Sequence, residues 1–247
     1  MRKTIRVGII GDHDPDKLSN TATDAALEHA TRFLGASVTA EWLPTKLLER
    51  SAPEKVECFG AFWCAPGSPY KSMSGAIEMI RAVRESGKPF IATCGGFQHV
   101  AIEYARNVLG LPGATHAEYD PDAPNPFITP LSCSLAGQSA RVELSPDSRV
   151  REFYGEPEAD EEYLCNFGLA PIYRGLIEEG GLRVSGVDRN SEARVVELPG
   201  HDFYVATLFV PQMRSSAGRP HPLVVAFLRA ALAVRSGRRS PRLEDAR

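Results

Sequence analysis

The segment "PFIATCGGFQHVAIEYARNV", residues 89–108, decides the fold prediction. It begins with a short apolar run of strand type, and the residues after Cys94 show helical spacing. Gly95 and Gly96 follow the cysteine directly. Small residues beside a sharp strand-to-helix turn allow a nucleophile to project from the end of a sheet, and a tight packing turn would also use them. We interpret Cys94 as a candidate nucleophile.

Strand and helix patterns alternate around this segment through the first 110 residues. Helical spacing appears in "NTATDAALEHATRFLG" (20–35) and "SGAIEMIRAVRESG" (74–87). Short strand-like runs are "IRVGII" (5–10), "SVTAEWL" (37–43), "FGAFWC" (59–64) and "PFIAT" (89–93). This alternation predicts an α/β fold, in which a parallel sheet is covered by helices on both faces.

The second half of the chain has a different pattern. Residues 112–132 contain five prolines, which predicts a long functional loop or a short insertion. Adjacent strand-like runs then predict an antiparallel extension of the sheet, and they cover residues 140–144, 182–188, 193–198 and 203–210. Helices are predicted over 171–181 and 221–235. We expect one domain over residues 1–235 and a disordered tail over 236–247.

Composition and charge restrict the class of partner. The chain has 247 residues, of which 43% are hydrophobic, and a formal net charge of −3. This charge gives no general reason to expect nucleic acid or an anionic membrane as a partner, so small molecules or proteins are favoured. Neither a membrane-spanning run nor a secretory signal is present in the sequence, and we therefore expect a cytoplasmic location.

The cysteines do not form a recognisable metal or disulfide pattern. Their number is odd and no CxxC pair occurs among Cys58, Cys64, Cys94, Cys133 and Cys165. This pattern argues against a disulfide framework and against a zinc site. We therefore expect reduced thiols, no metal and no cofactor.

The turn after Cys94 has the electrostatic features of a nucleophile site. The N-terminus of the following helix favours a thiolate over a thiol. The Gly95 amide is one candidate donor of an oxyanion hole, which stabilises the negative oxygen of a tetrahedral intermediate. The segment "CAPGSPY" (64–70) follows the preceding strand and offers Gly67 and Ser68 as the second donor.

Several motifs resemble one known family. The segment "GKPFIATCGGFQHVAIEYARNVLG" (87–110) resembles the nucleophile segment of class I glutamine amidotransferases, specifically the glutaminase domain of CTP synthases. The likeness continues in "APGSP" (65–69), "HAEYDPD" (116–122) and "GRPHPLVVAFLRAAL" (218–232), and it covers about residues 4–235. It implies a flavodoxin-like three-layer sandwich with a central, mostly parallel sheet and an antiparallel extension.

The resemblance also implies roles for individual residues. In the family, the cysteine attacks the side-chain amide of glutamine, forms a glutamyl thioester and releases ammonia. Cys94 would be this nucleophile, and the oxyanion donors would be Gly95 together with Gly67 and Ser68. Two further residues, Gln98 and Glu118, fall on substrate-binding positions of the family.

Three positions depart from the family pattern. The catalytic histidine and glutamate of its "FHPE" motif are replaced by Val210 and Gln212 in "FVPQ". Valine cannot transfer protons, so the usual partner of the cysteine is absent. Asn166 replaces an arginine that binds the glutamine α-carboxylate. For the neighbouring Cys165 we consider a residue that lines the site, a simple apolar filler and, last, second-thiol chemistry.

A local histidine could replace the missing one. His116 lies two residues before Glu118, and we consider both a catalytic partner for Cys94 and a loop histidine that caps the backbone. For His99, on the first turn after the cysteine, we expect packing against a neighbouring strand.

These observations lead to three functional hypotheses. The first is a stand-alone, cysteine-dependent amide hydrolase or amidotransferase with an altered substrate, in which Cys94 and His116 are catalytic. The second is a non-catalytic or regulatory module that binds a small molecule or a partner protein, and the third is a weak glutaminase of the CTP synthase type. The expected partners are an amide or amino-acid-like substrate, a synthetase chain and a second copy in a homodimer.

Overall fold

A computed structural model describes residues 4–235 of the chain. The tail predicted over 236–247 lies outside the described residues. The strands are β1 (Ile5–Ile10), β2 (Val38–Leu43), β3 (Ala61–Cys64), β4 (Phe90–Thr93), β5 (Ile128–Pro130), β6 (Gln138–Leu144), β7 (Glu158–Tyr163), β8 (Phe167–Leu169), β9 (Arg183–Val187), β10 (Ala193–Glu197) and β11 (Tyr204–Thr207). The α-helices are α1 (Leu18–Leu34), α2 (Thr45–Cys58), α3 (Met73–Ser86), α4 (Gly95–Asn107), α5 (Arg149–Tyr154), α6 (Arg174–Glu179) and α7 (Pro222–Arg235), and short 3₁₀ turns cover Pro171–Tyr173 and Pro211–Arg214.

Nine strands form one mixed sheet, in the order β2-β1-β3-β4-β11-β10-β9-β6-β7. The first five of these strands are parallel, and the remaining pairs, from β11 onwards, are antiparallel. The predicted α/β class, with a mostly parallel core and an antiparallel extension, is therefore confirmed. Parallel strands have their carboxyl ends on one edge of the sheet, and β4 delivers Cys94 to that edge.

Helices cover the sheet in two layers. Helices α2, α3 and α4 pack in sequence against one another, while α7 packs against α1 and α5. The central strands β3, β4 and β11 are buried at every position, which explains their apolar runs. No helix within residues 4–235 is long and apolar enough to cross a lipid bilayer.

Five α-helices and strands were not predicted from the sequence pattern: α2, α5, β5, β7 and β8. Two of them, α2 and β7, show the reason. Helix α2 contains Pro53 and begins where Asp12 accepts hydrogen bonds from the backbone N–H and the hydroxyl of Thr45, at 3.0 and 2.8 Å. Strand β7 has the acidic sequence "EADEEY", yet Tyr163 at its end is fully buried. Both α2 and β7 depend on contacts with residues that are distant in sequence, and a local sequence pattern does not reveal such contacts.

The proline-rich segment 112–132 is tied to the core by a small second sheet. Strand β5 pairs antiparallel with β8, and His116 forms an isolated bridge to Ile128. This pairing holds the segment beside α4, which also contacts β5 and β8. The loop predicted from its prolines is thus paired with β8 and packed beside α4. We call the strand-to-helix turn at Cys94, which precedes α4, the elbow.

Candidate functional site

Cys94 occupies a sharp turn between β4 and α4. Its backbone has φ 53° and ψ −111°, a combination that residues other than glycine rarely adopt. Its N–H donates to the carbonyl of Thr207, at 2.9 Å, which fixes the turn to the end of β11. Backbone strain of this kind is typical of a nucleophile held out from a sheet.

The two glycines after Cys94 are required by close neighbours. A Cβ atom on Gly95 would lie 2.8 Å from Cβ of Ser68 and 2.9 Å from its backbone nitrogen. A Cβ on Gly96 would collide with the carbonyl oxygen of Cys64. The first contact brings the start of α4 against the Gly67–Ser68 loop, so the three predicted oxyanion residues share one place in the fold.

Hydrogen bonds hold the Gly67–Ser68 loop in position. The Ser68 hydroxyl donates to Oε2 of Glu118 at 2.5 Å. Farther along the loop, the N–H of Tyr70 donates to the hydroxyl of Tyr119 at 2.6 Å, and the Tyr70 hydroxyl donates to the Ala65 carbonyl. The segment after residue 115 therefore anchors the loop that carries the candidate oxyanion donors.

His99 connects the first turn of α4 to this anchor. Its Nδ1–H donates to the Gly95 carbonyl at 2.7 Å, and its Nε2 accepts from the Tyr119 hydroxyl at 3.0 Å. Burial lowers the pKa of His99 to about 4, so the ring is neutral at physiological pH. Its ring lies next to that of Tyr70, with centroids 4.5 Å apart and the ring planes tilted by 47°. The expected packing against a strand stays a prediction.

Gln98, His116 and Glu118 form a directed hydrogen-bond chain. The backbone N–H of Glu118 donates to Nδ1 of His116 at 3.0 Å. This bond leaves the proton on Nε2, which donates to Oε1 of Gln98 at 3.0 Å. The amide nitrogen of Gln98 in turn donates to the Phe167 carbonyl, at 2.9 Å. The two substrate-binding positions implied by the resemblance are thus joined through His116.

The hydrogen bonds of His116 do not fit a general base for Cys94. Both of its ring nitrogens are engaged, and the ring is fully buried. Burial and the nearby His99 lower its pKa to about 3, so the 4.0 Å approach to Glu118 is not an ion pair. In this arrangement His116 accepts from the Glu118 backbone and donates to the Gln98 side chain, and a catalytic role for it stays a prediction.

The positions that differ from the family motif are filled by buried, uncharged side chains. Val210 is fully buried, and its N–H donates to the Glu162 carbonyl at 2.8 Å. The Gln212 amide nitrogen donates to the hydroxyls of Thr23 and Thr93, at 3.1 and 3.3 Å. Its Oε1 has no hydrogen-bond partner within residues 4–235. Neither of these two side chains is a group that transfers protons.

Cys94 forms a disulfide with Cys165, which corrects the expectation of reduced thiols. The two Cα atoms are 6.1 Å apart, although 71 residues separate the cysteines in sequence. Sequence spacing could not reveal this pair, because it depends on tertiary contacts with Thr207 and Leu208: the Cys94 N–H donates to the Thr207 carbonyl, and Sγ of Cys165 lies 3.3 Å from the Leu208 carbonyl oxygen. The adjacent Asn166 is exposed, and its side-chain oxygen accepts from the Ser134 hydroxyl at 2.6 Å.

Comparison with known proteins agrees with this geometry. A family model described as Glutamine amidotransferase class-I matches residues 20–223. The chain belongs to the class I glutamine amidotransferase family. A solved family structure, the glutaminase domain of Trypanosoma brucei CTPS with bound acivicin, superimposes with a TM-score of 0.86 at 19% identity. The match covers 92% of this chain and 94% of that one, which establishes the shared fold.

Curated family relatives are similar over almost the whole chain. A CTP synthase from Synechococcus sp. (strain JA-3-3Ab) is 31% identical over 99% of this chain and 47% of its own length. A CTP synthase from Staphylococcus carnosus is 32% identical over 92% of this chain and 44% of its own length. The chain thus spans about half the length of the curated relatives it matches.

Proposed function

We propose that the protein is a cysteine-dependent amide hydrolase or amidotransferase that acts on a glutamine-like carboxamide. The observation that carries the proposal is the elbow at Cys94, where a strained residue begins a 13-residue helix against the Gly67–Ser68 loop. The first N–H groups of a helix lack intrahelical partners and attract negative charge. They favour both a Cys94 thiolate and the oxyanion that forms after its attack.

In the proposed reaction, the reduced Cys94 thiolate attacks the carboxamide carbon. The N–H groups of Gly95 and Ser68 stabilise the resulting oxyanion. The C–N bond then breaks, ammonia leaves with a proton from water, and the Cys94 thioester is hydrolysed to the acid and the free thiol. Because Val210 cannot transfer the proton, we expect turnover roughly 10²–10⁴-fold below that of a site with a general acid and base.

The substrate is proposed to differ from glutamine at the end remote from the amide. In the family resemblance, an arginine at the position of Asn166 binds the α-carboxylate. Asn166 is neutral, and its side-chain oxygen already accepts from Ser134. A substrate with a neutral or polar group at this end suits the site better than a free amino acid.

The ammonia acceptor is proposed to be a synthetase. The matched relatives are named CTP synthases, and this chain aligns with about half of their length. A synthase has to use the released ammonia, so a synthetase chain or region is the partner that this chemistry needs. Increased ammonia release when such a partner is added would support this part of the proposal, and no increase would count against it.

A second candidate function is a non-catalytic binding module. It is favoured by one observation, the complete burial of Val210 and near-complete burial of Gln212 where the family motif carries its proton-transfer pair. Such a module would retain the cleft around Gln98 and Glu118 but would turn nothing over.

The decisive experiment uses 6-diazo-5-oxo-norleucine, a reactive glutamine mimic, on protein kept reduced with a phosphine. Intact mass should show one adduct in the wild type and in Cys133→Ala, a matched variant of an exposed free thiol, but none in Cys94→Ala. An adduct that persists in Cys94→Ala would overturn the assignment of the nucleophile. No adduct, with Cys94 still alkylated by iodoacetamide, would overturn the glutamine-like substrate class and would mean that the pocket takes another substrate.

A further inference from the structure

The disulfide joins Cys94 at the elbow to Cys165 in the loop between β7 and β8. Cys165 lies between β7 and β8, and its neighbours Leu164 and Asn166 are both exposed. Cys94 is 8% exposed and Cys165 is 3% exposed. Both residues are buried, and Cys94 is the more exposed of the two.

Both cysteines contact the same short segment, which consists of Thr207 at the end of β11 and Leu208 directly after it. The N–H of Cys94 donates to the Thr207 carbonyl at 2.9 Å, and Sγ of Cys165 lies 3.3 Å from the Leu208 carbonyl oxygen. In the reduced state, the Cys165 thiol can donate to this carbonyl. These contacts place the two residues with their Cα atoms 6.1 Å apart, a separation that a disulfide can span.

The other three cysteines are unsuited to this pairing. Cys58 and Cys133 are exposed and free. Cys64 is buried, its sulfur lies 3.3 Å from the Tyr70 hydroxyl, and burial raises the pKa of its thiol to about 12. Within residues 4–235, Cys94 and Cys165 are the cysteines that form a disulfide.

We propose that Cys94 and Cys165 form a reversible dithiol–disulfide couple that exchanges with low-molecular-weight disulfides and dithiols. In this exchange, Cys94 is the attacking residue and Cys165 the resolving one. The same bond withdraws the Cys94 sulfur from amide chemistry, a consequence that rests on the proposed function. The exchange needs a thiolate and a nearby second thiol, so the absence of a histidine at Val210 is no obstacle to it.

The oxidation proceeds in two balanced steps. The Cys94 thiolate attacks one sulfur of an external disulfide, forms a mixed disulfide and releases one external thiolate. The Cys165 thiolate then attacks the Cys94 sulfur and releases the second external thiolate. Two electrons pass from the protein dithiol to the external disulfide, and an external dithiol reverses both steps.

The test uses the full chain in a background of Cys58→Ser and Cys133→Ser, which removes the two exposed thiols. After reduction, this variant has three free thiols, at Cys64, Cys94 and Cys165. Treatment with oxidised glutathione should lower the thiol count in denaturant from three to one, which is Cys64. Peptide mapping should show Cys94 linked to Cys165, with no glutathione retained.

Replacement of the resolving residue gives the diagnostic contrast. Adding Cys165→Ser to this background should trap one glutathione on Cys94, and Cys165→Ala provides the same readout if the serine variant folds poorly. Equal retention of glutathione with and without Cys165 would overturn the proposal. Two free thiols at Cys94 and Cys165 after treatment of the background variant would overturn it equally.

The outcome is separable from that of the proposed function. Disulfide formation is measured with no amide present, whereas labelling by 6-diazo-5-oxo-norleucine is measured on reduced protein. Loss of labelling after oxidation, with recovery on adding dithiothreitol, is expected if both proposals hold. Labelling that is equal in oxidised and reduced protein would contradict the blocked nucleophile even if the linked peptide is found.

Discussion

Nε2 of His116 donates to Oε1 of Gln98 across 3.0 Å, and this bond joins the proline-rich loop to the first turn of α4. The donor role follows from Nδ1, which accepts the Glu118 N–H. A neutral imidazole is therefore part of the structural frame of the site. Protonation of Nδ1 would remove its acceptor and leave the Glu118 N–H without its partner.

This frame predicts a loss of stability in mild acid. Burial lowers the pKa of His99 to about 4 and that of His116 to about 3, whereas the unfolded chain protonates both near 6.5. As the pH falls below about 6.5, the unfolded state binds protons that the native state does not, so the free energy of unfolding falls. Each histidine contributes a slope of about 1.4 kcal/mol per pH unit until its native pKa is reached.

Urea unfolding between pH 7 and pH 4.5 measures this effect. His116→Gln should show a shallower pH dependence than the wild type, whatever its absolute stability. His13→Gln replaces an exposed histidine and is the matched control, for which we expect the wild-type slope. An unchanged slope in His116→Gln would contradict the neutral, buried imidazole.

Gly95→Ala should disrupt the site more than the fold. The added Cβ would approach Cβ and N of Ser68 to less than 3.0 Å, which forces the candidate oxyanion loop away from α4. We expect a loss of about 1–3 kcal/mol in stability from overpacking and at least a tenfold slower reaction with 6-diazo-5-oxo-norleucine.

Gly113→Ala is the control for this substitution, because nothing lies within 4 Å of the added Cβ at that position. The Gly113→Ala protein should react with 6-diazo-5-oxo-norleucine at the wild-type rate. If Gly95→Ala also labels at that rate, the close approach of the Ser68 loop does not contribute to reactivity.

Gln212→Glu should destabilise the protein at neutral pH. The substitution removes the amide that donates to Thr23 and Thr93, and it places a carboxylate at a position that is 2% exposed. We expect the free energy of unfolding to fall by about 3 kcal/mol or more. The loss should shrink in acid, because a protonated carboxyl regains one donor.

Thermal or urea unfolding at pH 7 and pH 5 checks this expectation. Gln138→Glu changes an exposed residue in the same way and should alter stability by less than about 0.5 kcal/mol. A Gln212→Glu protein as stable as the wild type at pH 7 would show that the position tolerates the family's charged residue.

Local sequence signals predicted the elbow and most of the sheet correctly. The apolar run before Cys94 and the glycines after it are short-range features, and the structure explains both glycines by close contacts with the Ser68 loop and Cys64. The sequence pattern failed to predict elements whose residues are buried by contacts with distant parts of the chain. Strand β7 reads as a charged surface segment, yet Glu161 within it is 2% exposed and accepts a hydrogen bond from Tyr154.

The roles of individual site residues depend on the direction of their hydrogen bonds and on which side chains lie next to them. The sequence grouped His116 with Glu118, but it did not predict the bond to Gln98, and spacing does not encode which ring nitrogen meets which partner. His99 and Tyr119 anchor the candidate oxyanion loop. Their contact could not be predicted from the sequence, because no local pattern connects the two residues.

The sequence by itself determined the fold class, the elbow and the replacement of the proton-transfer pair at Val210 and Gln212, because these depend on residue identity and on spacing within a few turns of chain. Only the tertiary structure decided that Cys165 bonds to Cys94. Those residues are 71 positions apart, and the pairing exists because β8 ties to β5 while β4 and β11 lie side by side in the sheet.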